Sequence, residues 1–275
     1  MKNAVAARRG RRAATLLAAG LSWLGVLPAA HAGQDCEAKP LTLNAITQAM
    51  AMAQRTSAAL DAEHGRSGAR VVVLARAGQD LSRYRLRYSH LGWAYKTPEG
   101  PWRVLHKLNA CGTDTSALYR QGLGEFFMDN PWRYQAAWAV VTPNLQDPLY
   151  ALVTDPQRSV RLNTPAYSMV SYAWGTRYQQ SNQWALETLA MAAEPGITSR
   201  SQAQAWLQFK GYEPSVLRIN ALTRLGARMS KANVAFDDHP NGKRFSDRIE
   251  TVTVDSVFAW LVRAGLASNE QVLGL

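Results

Sequence analysis

The chain has 275 residues, 47% of them hydrophobic and 19% charged, with 31 Lys and Arg against 20 Asp and Glu and only two cysteines. Disorder is excluded, because it needs few apolar residues and a high charge fraction. A disulfide-dense miniprotein is excluded too, since two cysteines allow at most one intrachain bridge. The formal charge of +11 suggests a polyanionic partner until the amino terminus is considered.

Residues 1–32 carry Lys2, Arg8, Arg9, Arg11 and Arg12 and no acidic residue. An apolar run from Ala13 to Leu27 follows, then Pro28 and the small-residue site Ala30-His31-Ala32. Basic, apolar and small-residue regions in that order read as a secretory signal peptide cleaved after Ala32. The run is shorter than the ~20 residues of a membrane-spanning helix. Removing those five cations leaves 26 basic against 20 acidic residues, or +6, over 33–275. No dense basic block remains, so a nucleic-acid partner is not expected. No later apolar run reaches membrane-spanning length. The expected mature protein is a single soluble domain, 33–275, in the periplasm or secreted. There, Cys36 and Cys111 would form a bridge by default. The competing reading keeps Cys111 as a thiol nucleophile, with His90 or His106 as its base.

In chain order, helical spacing of Leu43, Ile46, Met50, Ala53 and Leu60 predicts a helix from Leu41 to about His64, stopped by Gly65. Arg70–Ala75 reads as a buried strand. Arg85–Lys96 and Trp102–Leu108 read as a hairpin around Pro98-Glu99-Gly100-Pro101. Thr115–Phe127 reads as a helix, Tyr134–Val141 as a strand and Pro143 to about Thr154 as a helix. Asn163–Tyr178 is irregular and aromatic-rich. Helices are expected over Asn182–Ala193, Ser199–Lys210 and Pro214 to about Ala232, the last burying Leu217, Leu222, Leu225 and Met229. A strand over Ile249–Val254 and a capped helix through Arg263 complete the chain. The expected class is α+β, an antiparallel sheet with packed helices.

Phosphate-loop, zincin, dinucleotide-fold and nucleophile-elbow motifs are absent, so no cofactor or metal is expected. Asp237-Asp238-His239-Pro240 reads as a polar turn rather than a metal site. Two places carry candidate chemistry. His90 lies on the first hairpin strand. If the turn pairs Lys96 with Arg103, His90 faces Asn109, a workable base with its orienting amide. A one-residue slip pairs it with Leu108 instead. The second place is the helix start at Ser181-Asn182, where the helix N-terminus favours developing negative charge. The bland alternatives are a structural strand histidine and an ordinary serine N-cap.

Leu74–Leu81, Tyr88–Tyr95, His106–Gly112, Gln180–Trp184 and Asn233–Pro240 resemble the bacterial family named domain of unknown function 2145. That resemblance runs over nearly the whole mature chain and implies an exported bacterial protein, without implying an activity. More distantly, Ser89-His90-Leu91-Gly92 resembles the histidine strand of circularly permuted papain-like hydrolases, which include bacterial cell-wall peptidases. In that order a cysteine at a helix start follows a tyrosine-rich approach. Here Ser181 stands in its place, so the resemblance implies a serine-substituted or degenerate site on a permuted papain-like core. Two functions follow. One is an amide or ester hydrolase with Ser181 as nucleophile, His90 as base, Asn109 as orienter and an Asn182 or Gln183 amide at the oxyanion. The other is a non-catalytic envelope protein whose Tyr167, Tyr172, Trp174 and Tyr178 line a groove for a small molecule, peptide or glycan.

Overall fold

Most of the core lies on the two faces of one antiparallel sheet, and the pleat decides which residues serve each face. The computed structural model describes residues 41–129 and 131–275; the expected signal peptide and Cys36 lie outside the described residues. The chain opens with α1 (Leu43–Ser67), β1 (Val71–Arg76), β2 (His90–Lys96), β3 (Trp102–Asn109), β4 (Ser116–Gly122) and α2 (Leu123–Phe127). It continues with β5 (Gln135–Val140), α3 (Pro143–Thr154), α4 (Pro156–Ser159), α5 (Ser181–Ala193) and α6 (Arg200–Phe209). It ends with β6 (Ser215–Arg218), α7 (Ala221–Ser230), α8 (Asn241–Arg244), β7 (Arg248–Thr251), α9 (Val254–Arg263) and β8 (Gln271–Gly274). The main sheet has the order β4-β3-β2-β1-β5-β8, and β6 and β7 form a separate two-stranded ribbon. All pairs are antiparallel, so the class is α+β as the sequence predicts.

Alternation divides the strands cleanly. Val71, Val73, Leu91, Trp93 and Leu105 pack on α3, α5 and α9, while Val72, Leu74, Ala94 and Val104 pack on α1 and α2. Sheet strands buried on both faces read as continuous apolar runs, which is why Val71-Val72-Val73-Leu74 is so uniform.

Several expectations are corrected. α1 runs past Gly65 and stops at Gly68, whose φ of 71° supplies the left-handed C-cap. Its buried stripe is Ala49, Met52, Ala53, Thr56 and Leu60, with Leu43, Ile46 and Met50 exposed. Ser116–Gly122 is a strand, not part of a helix, because it pairs with β3 along its whole length. The predicted helix from Pro214 is β6 followed by α7, and Leu222, Leu225 and Met229 are exposed. The hairpin closes with Lys96 opposite Trp102. Thr97 N–H donates to Pro101 C=O at 3.0 Å, so the loop is one residue tighter than the pairing of Lys96 with Arg103 requires.

Candidate functional site

A cavity of about 400 Å³ opens where β1 ends, β2 begins and β3 ends. Arg76, His90, Asn109, Cys111, Ser181 and Asn182 contribute to one side of it. The opposite wall is apolar and comes from the β6–β7 ribbon, α7 and the loop after it, with Leu217, Ile219, Val234 and Phe236. The cavity takes lining from both faces of the sheet.

His90 is bonded to His106, which the sequence offers as an alternative base but not as its partner. Its Nε2 lies 2.8 Å from His106 Nδ1, and His106 Nε2 lies 2.8 Å from Gln121 Oε1. Burial holds His90 well below the ordinary histidine range, with Arg76 and His106 adding to the effect. Burial likewise lowers His106 to about 3, with Arg76 adding to the effect. Both rings are therefore neutral at pH 7. With the Gln121 oxygen as acceptor, His106 carries its proton on Nε2 and accepts at Nδ1. His90 then donates from Nε2 and keeps the lone pair on Nδ1. Phe126 packs on both rings, with centroids 6.1 and 5.4 Å away.

Gly92 makes this pairing possible. A Cβ there would stand 2.8 Å from His106 Cβ, 2.9 Å from Val104 Cγ1 and 3.0 Å from Leu105 O. The glycine of the Ser89–Gly92 motif is thus a close-approach residue, which the sequence alone leaves without a reason. Beside His90 across the β1–β2 ladder is Arg76. Its buried guanidinium pairs with Asp129 at 2.5 Å, donates to Phe126 O and lies over the Phe126 ring.

Ser181 and His90 are not joined. Ser181 is the first residue of α5, and the N-cap is Gln180, whose side chain accepts from Asn182 N–H. Ser181 Oγ donates to Lys107 O at 2.7 Å. His90 packs with Phe126 on the α2 face, whereas α5 packs on the other face with Leu91, Trp93 and Leu105. Asn182 is committed as well: Oδ1 accepts from Leu91 N–H at 3.1 Å and Nδ2 donates to Val252 O at 3.4 Å. Asn109 pairs with Ser116 and donates to Ala110 O. Its odd place in β3 sets it on the face opposite His90, and His106 occupies the orienting position instead.

Of the aromatic residues expected in a groove, Tyr167 lines the cavity. Burial raises its hydroxyl, and the neighbouring Ser181 hydroxyl works in the opposite direction. Tyr172 packs against His239 and Trp174 against Tyr212. Tyr178 lies under the Arg177 guanidinium, and none of these three lines the cavity. His239 is buried between Asp238 Oδ1 (2.9 Å) and Glu250 O (3.2 Å). Among the described residues there is no free cysteine and no cluster of three metal-ligating side chains.

Behind Ser181 is a second buried polar cluster. Lys107 Nζ donates to Asn163 Oδ1, Thr164 O and Gln179 Oε1 at 2.6, 2.6 and 3.1 Å. Gln179 Nε2 donates to Glu187 Oε2 at 2.6 Å, and Glu187 forms a two-pronged pair with Arg200 at 2.8 and 3.2 Å. Burial lowers Lys107 to about 7, with Arg200 adding to it and Glu187 opposing it. One signal for this cluster was in the sequence. Glu187 lies in an otherwise apolar helix stretch, and a buried carboxylate needs a partner.

No helix among the described residues is long and apolar enough to cross a membrane. No curated protein and no solved structure matches the chain. A family model does match, over residues 63–261, a span that holds His90, His106, Gln121, Ser181 and Asn233. The chain belongs to the family described as uncharacterized protein conserved in bacteria, DUF2145.

Proposed function

We propose that the protein is an exported bacterial envelope protein that binds a small ligand or peptide in the cavity at the β2–β3 end of the sheet. It would not cleave that ligand through Ser181. The observation that carries this reading is the separation of the supposed nucleophile and base. Ser181 Oγ is given to Lys107 O, His90 is given to His106, and the two belong to opposite sheet faces. A nucleophile needs its base within hydrogen-bond reach, while an apolar cavity with a few polar groups is what ligand binding needs. The basic, apolar and small-residue regions of the first 32 residues support export. Chain order, with the histidine strand first and the helix start later, supports a papain-like core whose cysteine has been replaced. An oxidising compartment supports a Cys36–Cys111 bridge; intact-mass measurement before and after reduction, showing a gain of about two daltons, tests it.

The functional test uses purified mature protein with p-nitrophenyl acetate and an acetylated peptide p-nitroanilide. Hydrolysis should stay at background and be unchanged in Ser181→Ala. Ser181-dependent turnover would overturn the reading. A second reading retains chemistry without Ser181: the His90–His106–Gln121 chain leaves a lone pair on His90 Nδ1, suited to activating a water. Turnover lost in His90→Gln and kept in Ser181→Ala would favour it.

A further inference from the structure

Asn233 stands apart from the other buried polar residues. It follows α7 in the loop that forms part of the cavity wall. The backbone there is held firmly, because Met169 N–H donates to Asn233 O at 2.8 Å and Ser168 Oγ exchanges hydrogen bonds with Ala235 at 2.9 and 3.1 Å. The residue is 1% exposed. Yet neither its Nδ2 nor its Oδ1 has a hydrogen-bond partner. Among the described residues, it alone has two such orphaned side-chain atoms. Two more orphans belong to the same cavity, the Tyr88 hydroxyl and Arg76 Nε.

A buried polar group without a partner is costly, and native proteins rarely keep one without a use. A carboxamide offers one donor and one acceptor side by side. The N–H and C=O of a single trans amide point apart, so the partner that satisfies both at once is one residue of an extended peptide, whose own C=O accepts from Nδ2 while its own N–H donates to Oδ1. Val234 and Phe236 flank Asn233 on the same wall, with Leu217 and Ile219 on the facing ribbon and Met169 and Val170 nearby. An extended residue with a branched apolar side chain therefore fits both halves of this wall.

We propose that Asn233 is the residue that recognises the ligand, and that the ligand is a peptide presenting the backbone N–H and C=O of one extended aliphatic residue. This rests on the cavity being the binding site, as argued above. It adds the ligand's chemical class and the residue that reads it. A site built to hydrogen-bond an amide rejects an isostere that lacks the N–H, because Oδ1 is then left unpaired.

The test compares N-acetyl-leucine N-methylamide with its ester isostere, in which oxygen replaces the leucine N–H. Binding is followed by the NMR shift of the Met169 methyl group, which reports on the cavity and needs no turnover. The amide should bind at least about tenfold more tightly than the ester. Asn233→Leu and Asn233→Ala should each bring the two ligands to within about twofold of each other. The melting temperature of Asn233→Leu should equal or exceed that of the wild type, since an orphaned amide has been exchanged for apolar volume. Equal binding of amide and ester by the wild type would overturn the assignment of Asn233 and leave the cavity reading standing. So would discrimination that survives in Asn233→Ala, or a lower melting temperature in Asn233→Leu, because the side chain would then serve the fold. Failure of both compounds to shift Met169 would overturn both readings.

Discussion

The two polar regions around the start of α5 differ in whether the protein completes its own hydrogen bonds. On the α5 side, Lys107, Gln179, Glu187 and Arg200 satisfy one another and reach Asn163, Thr164 and Gln204. On the cavity side, Asn233, Tyr88 and Arg76 Nε are buried and left short. Burial and polarity are similar in the two places, so neither separates scaffold from site. Satisfaction does. A completed network fixes the 163–180 segment against α5 and α6, whereas an incomplete one marks where another molecule would finish the bonding.

Breaking the completed network should have the largest effect. Glu187→Ala strands the buried Arg200 guanidinium and takes the acceptor from Gln179 and Gln204, and loss of one partner of a buried pair costs about 3–5 kcal/mol. Urea unfolding should show that loss, against no loss for Asn233→Leu. If the two variants destabilise equally, the distinction between the regions fails. Next in size is Gly92→Ala. The added methyl meets His106 Cβ, Val104 Cγ1 and the β3 backbone at 3.0 Å or less, and overpacking of this kind costs about 1–3 kcal/mol. The same variant should separate the imidazoles, so the ¹⁵N shifts of His90 and His106 should leave their fixed-tautomer values. Unchanged shifts would mean that β3 yields without moving His106.

That the sequence does not pair His106 with His90 is a matter of register. The strands, turn and apolar faces of this hairpin are legible because alternation and Pro-Gly chemistry are local. Pairing His90 with Asn109, by contrast, needs a loop one residue longer than the one that Thr97 and Pro101 close. A single-residue slip reverses every side chain, so Asn109 changes face and His106 moves into reach of His90. Ser116–Gly122 was read as helix for a similar reason, since its strand character comes from β3 rather than from its own residues. Asn233 had no sequence signal of its own, because lack of a partner is visible only once the surroundings are built. The sequence places Ser181 at the helix start as a cap; the structure gives the cap to Gln180 and spends the Ser181 hydroxyl on Lys107 O.

The two regions should also titrate in separate windows. His106, which bonds the cavity-lining His90, has a folded value of about 3 against roughly 6.5 when unfolded. Between these values the unfolded chain binds more protons, so stability is full above about pH 6.5 and falls as pH drops toward 3. The slope is about 1.4 kcal/mol per pH unit for each proton, and His106→Gln should remove its share. Lys107 has a folded value of about 7 against roughly 10.4 when unfolded. Here too the unfolded chain holds the extra proton, so stability rises with pH from about 7 toward 10. Lys107→Met should flatten that rise and leave the acid limb untouched. A Lys107→Met curve parallel to the wild type in alkali would show that the ammonium is not held back by burial.

The smallest expected effect falls on α7, where helical spacing was read correctly and burial was not. Leu222, Leu225 and Met229 recur on one helix face, but they are 79%, 56% and 74% exposed, while Thr223 and Ala227 line the cavity. Periodicity identifies a helix and an apolar stripe; it does not say which side of the helix meets the protein. Leu225→Ser should therefore change stability by no more than about 0.5 kcal/mol, as exposed substitutions do. A buried stripe would lose about 2–5 kcal/mol on truncation of one leucine. The gap between these values is wide enough for one urea titration to decide. A large loss would place α7 inward, close the apolar wall, and remove the cavity on which the binding reading stands.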